Sequence, residues 1–128
     1  KTRQSNFKIQ KSFFDSFGDF FETPFENPKC ETAWLAFPII IKKDAPFKRK
    51  EFQIYLEERD IQTRVVFTGN VTRQPMCRNI QKKVSPSGLK NSDNVMERGV
   101  LLPVHHGMTP EMFSRFQSTV TDFVKSKK

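Results

Sequence analysis

Phenylalanine dominates the start of this chain, and its spacing constrains the fold more than any other feature. Phe7, Phe13, Phe14, Phe17, Phe20 and Phe21 recur at intervals of three, four and seven with polar residues between them, the pattern of an amphipathic helix over residues 3 to about 22. Gly18 is its weak point. The whole chain carries 14 Phe against one Trp and one Tyr, so the core is expected to be built from rings that lack a polar handle. A composition of 36% hydrophobic and 28% charged residues over 128 positions describes one globular domain, neither disordered nor membrane-spanning.

Thr23, Pro24, Asn27 and Pro28 break the helical pattern and predict a linker of about ten residues. AWLAFPIIIK, residues 33–42, is apolar and β-branched, the mark of a buried strand with Pro38 at a bulge, start or edge. Asp44, Ala45 and Pro46 then open a helix with Phe47, Phe52, Tyr55 and Leu56 on one face and Lys48, Arg49, Lys50, Glu57 and Glu58 on the other. A second strand runs from Thr63 to Phe67 and ends at Thr68-Gly69-Asn70.

Residues 71–91 have no sustained period and contain Pro75, Pro86 and Gly88, which predicts an irregular excursion with one turn of helix. Connections of that length usually serve a function. Ser92 or Asp93 caps a short helix that stops at Gly99, and Val100 to Val104 form a third strand. Thr109 caps the last helix, with Pro110 at its first position and Met112, Phe113, Phe116, Val120, Phe123 and Val124 on its apolar face. The order predicts an α+β fold: a small sheet of about three to four strands with helices packed on one face, preceded by a lead-in helix.

The net charge of +8 attracts polyanions, but the cations are spread over Lys1 to Lys11, Lys42 to Lys50 and Lys125 to Lys128 rather than gathered in one arm. A solvated surface accounts for them. Cys30 and Cys77 have no cysteine near them and are read as free thiols. The opening residues lack the apolar segment of a signal peptide and an initiator Met, so the chain is expected to be a fragment or a processed product.

No complete catalytic set is present: there is no Gly-rich phosphate loop, metal-ligand spacing or Gly-x-Ser-x-Gly elbow. His105 and His106 follow a strand, where site residues are common, but neighbours on an extended backbone point to opposite sides and do not readily share a metal. Arg64 in a strand must lie at the rim or pair with an anion. Gly69-Asn70 is either a plain turn or a backbone approach to a ligand. Arg73 and Arg98 are either surface side chains or forks for phosphate or carboxylate. Trp34 and Phe37 read as core.

Three segments carry a resemblance: Thr63-Arg64-Val65-Val66-Phe67, then Gln74-Pro75, then Leu102-Pro103-Val104-His105-His106-Gly107-Met108-Thr109. In this order the chain, over residues 3 to 126, resembles the C-terminal part of the DegT/DnrJ/EryC1/StrS sugar aminotransferases, which use pyridoxal phosphate. Gly69-Asn70 and Arg73-Gln74-Pro75 are more similar to the branch of CDP-4-keto-6-deoxyglucose 3-dehydratases of lipopolysaccharide synthesis. His106 departs from the pattern, standing where the aminotransferases usually carry Pro.

The resemblance implies a cytoplasmic two-domain enzyme of which residues 1–30 are a lead-in helix and linker from a missing large domain, and 31–128 the small C-terminal domain. It places the pyridoxal or pyridoxamine phosphate, its Lys or His partner and any iron–sulfur cluster in the large domain, so no cofactor is expected on this fragment and no activity from it alone. It implies a sugar-nucleotide substrate, a homodimer and a possible reductase partner, with neither nucleic acid nor membrane involved. By analogy the pocket residues are Arg98 for the substrate or its anionic group, Phe37 for packing beside cofactor and substrate, Asn70 and Arg64 as polar contacts, and His105. Support of a domain interface is the competing role for all five. Within the resemblance, the small domain of a sugar-nucleotide aminotransferase is the alternative to that of a dehydratase, and two other classes remain at this point: a basic nucleic-acid-binding module, which needs exposed aromatics beside a basic groove, and a structural interaction domain.

Overall fold

The computed structural model describes residues 1–127. Four helices, α1 (Thr2–Asp15), α2 (Arg49–Glu57), α3 (Lys90–Arg98) and α4 (Pro110–Lys125), accompany four strands, β1 (Phe21–Glu22), β2 (Phe37–Ile41), β3 (Arg64–Val65) and β4 (Gly99–Leu102). The strands form one antiparallel sheet in the order β1-β2-β4-β3. This is the α+β architecture read from the sequence.

The first helix is shorter than its Phe stripe predicts. It ends at Asp15, whose carboxylate takes Lys11 Nζ at 2.8 Å and the Thr23 hydroxyl at 2.6 Å, so residues 16–20 turn back on the helix. Phe21 is buried by strand pairing with Ile41. Phe spacing could not separate a helix from a helix, a turn and a strand, because ring burial looks the same from either backbone.

Pro38 sits inside β2, opposite Leu101. β1 reaches only Ile40 and Ile41, so the flank at Pro38 is an open edge and its missing N–H costs no ladder bond. The second helix starts at Arg49, not at Pro46. Phe47 instead precedes the cap residue Lys48 and stacks on Phe52 with ring centroids 6.2 Å apart, a hydrophobic staple. Glu51 accepts the Lys48 N–H at 3.2 Å and completes the start.

α3, by contrast, begins earlier than expected, with Leu89 as its cap; Asp93 lies in its first turn. Two short 3₁₀ turns, Val71–Arg73 and Pro75–Cys77, are the only regular structure in the excursion that precedes it. α4 follows its sequence signals: the Thr109 hydroxyl accepts Met112 N–H at 3.3 Å and Pro110 opens the helix. Met112 departs from the expected buried face and is exposed.

Phe37, Ile39 and Ile41 of β2 and Val100 and Leu102 of β4 alternate onto one face and meet Phe7 and Phe14 of α1, Phe52 and Leu56 of α2, and Phe116, Val120 and Phe123 of α4. The helix expected to lead in from elsewhere therefore shares this core. Two amides fasten it to the segment after β4: Asn6 Nδ2 donates to the His105 carbonyl at 2.8 Å, and Gln10 Nε2 to that of Pro103 at 3.2 Å. Phe7 also lies flat against Trp34, centroids 4.3 Å apart.

Candidate functional site

At the β3 edge of the sheet, a groove of about 560 Å³ opens between the segment before β2, the turn after α2, the end of β4 and the first turns of α4. Leu101, Leu102, Val104, Ile61 and Phe116 form its apolar floor; Leu35, Phe67, Met108 and Met112 form its walls. Arg64, Gln62, His105, Asp60 and Arg115 bring the polar groups. Its size and mixture of many apolar and few polar groups are those of ligand pockets.

Phe67 is the least ordinary of these residues. Its ring is 79% exposed and its backbone is left-handed, with φ of 47°, a conformation that costs a bulky residue on the order of 1 kcal/mol or more. Two restraints hold it there. Phe67 N–H turns back to the Val65 carbonyl at 2.9 Å, which also cuts β3 to two residues. Gly69, with φ of 60°, packs so closely on α3 that a Cβ would collide with Met96.

His105 offers the groove an imidazole whose Nδ1 accepts Gly107 N–H at 3.2 Å. In the neutral ring this leaves the proton on Nε2, a donor for an acceptor oxygen. Arg64 supplies a fixed positive charge, with no ion pair among the described residues. Arg115 is partly committed: it donates to the Arg59 carbonyl at 2.7 Å and lies 3.5 Å from Asp60.

The other three site candidates lie elsewhere. Phe37 is wholly buried, packed on Phe7 and Phe14, and does not line the groove. Asn70 is a structural clasp: Oδ1 accepts from Thr72 N–H at 3.1 Å and its hydroxyl at 2.7 Å, and Nδ2 donates to Asp93 at 2.7 Å. The same Asp93 takes a two-pronged pair from Arg73, Nε at 3.0 Å and Nη2 at 2.9 Å, and these donors hold its carboxyl down at about 2. So Gly69 packs closely on α3, and Arg73 binds a carboxylate of its own chain. Arg98 ends α3 half-buried, its Nε without a hydrogen-bond partner among the described residues.

Sequence reading missed Phe67, Leu35, Met108, Met112 and Arg115 as groove residues. Phe67 had one signal, its place just ahead of the Gly69-Asn70 turn; the others come together only through the fold. Both cysteines are free. Among the described residues no group of three or more His, Cys, Asp or Glu is placed to hold a metal, and no helix is long and apolar enough to cross a membrane.

A sequence model of the DegT/DnrJ/EryC1/StrS aminotransferase family matches residues 1–121. The chain belongs to this family. It is 31% identical over 121 residues to the lipopolysaccharide biosynthesis protein RfbH of Salmonella typhimurium, covering 94% of this chain and 28% of that protein. It is 34% identical over 101 residues to the dTDP-4-dehydro-2,6-dideoxy-D-glucose 3-dehydratase of Saccharopolyspora spinosa, covering 79% and 22%. The chain thus spans less than a third of the length of these relatives.

Solved structures share the fold. The E. coli GDP-4-keto-6-deoxy-D-mannose-3-dehydratase with bound hydrated PLP superposes with a TM-score of 0.76 at 22% identity, over 92% of this chain and 30% of that one. An aminotransferase from Psychrobacter cryohalolentis gives 0.80 at 10% identity, over 98% and 34%. Against that background the groove can be tested as a cofactor site. None of its lining residues is a lysine, so it has no amine to join an aldehyde cofactor, and its polar groups suit an anion or acceptor oxygen. These residues do not form a pyridoxal phosphate site by themselves.

Proposed function

We propose that the chain is the small C-terminal part of a sugar-nucleotide enzyme of deoxysugar or lipopolysaccharide biosynthesis, a 3-dehydratase that works with pyridoxamine phosphate in the cytoplasm. The observation that carries the reading is the sequence identity above 30% to two curated relatives, one named for lipopolysaccharide biosynthesis and one a 3-dehydratase. CDP-4-keto-6-deoxyglucose is the substrate favoured by the motif resemblance. In this reading residues 1–30 lead in from a large domain that holds the cofactor, its Lys or His partner and any iron–sulfur cluster.

The share of this chain in catalysis is then to bind and enclose. A water-poor apolar floor strengthens every polar contact made above it. Arg64 supplies charge for an anionic group, and His105 Nε2–H donates to an acceptor oxygen of the sugar nucleotide. Phe37 and Asn70 act one layer back, Phe37 by packing under the groove and Asn70 by fixing the turn that presents Phe67. Arg98 remains the candidate for an anionic group at the end of α3. A homodimer and a reductase partner belong to the same reading.

The test is the complete polypeptide carrying Arg64→Ala or His105→Ala, assayed on a 4-keto-6-deoxyhexose nucleotide with pyridoxamine phosphate. A rise in KM of about tenfold or more, the worth of one charge-assisted hydrogen bond, supports the assignment. Unchanged KM in both variants removes the groove from the substrate path.

A further inference from the structure

Between Asp60 and Asp93 the chain carries Arg64, Arg73, Arg78, Lys82, Lys83 and Lys90 and no carboxylate. Most of the net charge of +8 arises in this quarter of the sequence. The tract also exposes aliphatic side chains: Met76 is 75% and Ile80 54% exposed, and Val71 and Val84 are exposed as well. These side chains offer a partner apolar contacts beside the cations of the same segment.

The segment is tied down at its base. Asn70 and Arg73 hold Asp93, and Lys82 Nζ caps the Cys77 carbonyl at 2.8 Å. Its start is therefore ordered before anything binds, which lowers the entropic cost of docking.

We propose that residues 71–89 are a docking arm for a protein partner whose contacting surface is acidic with apolar residues among the carboxylates. Charge selects the sign: residues 71–89 hold Arg73, Arg78, Lys82 and Lys83 and no acid, and although Arg73 is paired with Asp93 the remaining cations steer and hold a carboxylate-rich surface. Side-chain type selects the class. Single-stranded nucleic acid is held by flat rings on which bases stack, whereas the arm offers Val71, Met76, Ile80 and Val84. A second copy of this chain is disfavoured because each copy carries the same +8.

The experiment uses the 128-residue chain and three probes: a short synthetic peptide of glutamates interspersed with leucines, a thymidine oligonucleotide of equal charge, and phosphatidylserine vesicles. The expected result is that the peptide binds tightest and that Arg78→Glu with Lys83→Glu weakens it about tenfold, while Lys43→Glu with Lys50→Glu, outside the arm in sequence, changes it less than threefold. Met76→Ser with Ile80→Ser is expected to weaken the peptide severalfold even near 1 M salt, where charge is screened within about 3 Å. Tighter binding to the oligonucleotide or to vesicles, equal loss in both charge-reversal pairs, or no effect of the Met76/Ile80 pair overturns the proposal. None of these outcomes bears on the sugar-nucleotide reading, which concerns the groove.

Discussion

Asn6 Nδ2 and the His105 carbonyl lie 2.8 Å apart, a hydrogen bond that ties the first turns of the chain to the segment leading into its last helix. Asn6 is almost fully buried, so the bond replaces water on both sides. It also explains why α1 cannot be treated as a loose leader: the groove wall carrying His105 is held from behind by α1.

Asn6→Leu is expected to lower the unfolding free energy by about 1–3 kcal/mol, because it leaves a carbonyl without its donor inside the fold. Urea unfolding measures it, with the drop in midpoint at unchanged slope as the signature. Asn6→Ala should fall in the same range.

Two glycines with left-handed backbones should behave differently. Gly69→Ala meets Met96 as well as an unfavourable φ, whereas Gly88, with φ of 77°, has open space around it. Gly88→Ala is expected to cost about 1 kcal/mol from backbone strain alone, and Gly69→Ala clearly more, with little recovery on adding Met96→Ala, which keeps the Cα and Cβ that the new methyl meets. Thermal unfolding of the three variants decides; equal costs for the two glycine changes would remove the close-approach argument.

The Asp93 carboxyl is held at about 2, below its ordinary 3.8, chiefly by its hydrogen bond from Arg73 and then by that from Asn70. A depressed carboxyl contributes stability above its unfolded pKa and loses it as pH falls through the folded one. The clasp should therefore hold above pH 4 and open as the pH falls from about 4 to 2. Amide exchange of Thr72 and Arg73 is the readout: their protection relative to the unstructured chain should fall over that interval, and in Asp93→Asn it should already be low at neutral pH.

Phe37 separates packing from chemistry. Its ring is fully buried against Phe7 and Phe14, so Phe37→Ala should cost about 3–5 kcal/mol. Phe37→Leu should cost less and leave substrate KM in the complete enzyme nearly unchanged; a large KM effect with intact stability would put Phe37 in the pocket after all.

Much of the fold was legible because its signals are local. Thr109 and Pro110 start α4, Gly99 ends α3, and FPIII reads as a buried strand. What was not legible depends on partners far along the chain. β1 is two residues long, too short to show a period, and exists because Ile40 and Ile41 pair with it; β3, read as Thr63 to Phe67, is cut to Arg64–Val65, the two residues that pair with Leu101 and Val100. Phe47 reads as helix until Phe52 stacks on it.

The site divides the same way. Arg64 and His105 could be named from the motifs around them, and both line the groove. Asn70 and Arg73 could not be told from ligand contacts, since the carboxylate they bind, Asp93, lies twenty or more residues away. Phe67 drew no notice because a strand-end phenylalanine is normally core; its left-handed backbone turns it outward.

The most direct measurement is an assay of the complete polypeptide on a 4-keto-6-deoxyhexose nucleotide, supplied once with pyridoxamine phosphate and reductant and once with pyridoxal phosphate and glutamate. The account predicts loss of the C3 hydroxyl in the first mixture and no amino sugar in the second. An amino sugar formed at the expense of glutamate, with C3 still oxygenated in both mixtures, would contradict it and make the parent an aminotransferase.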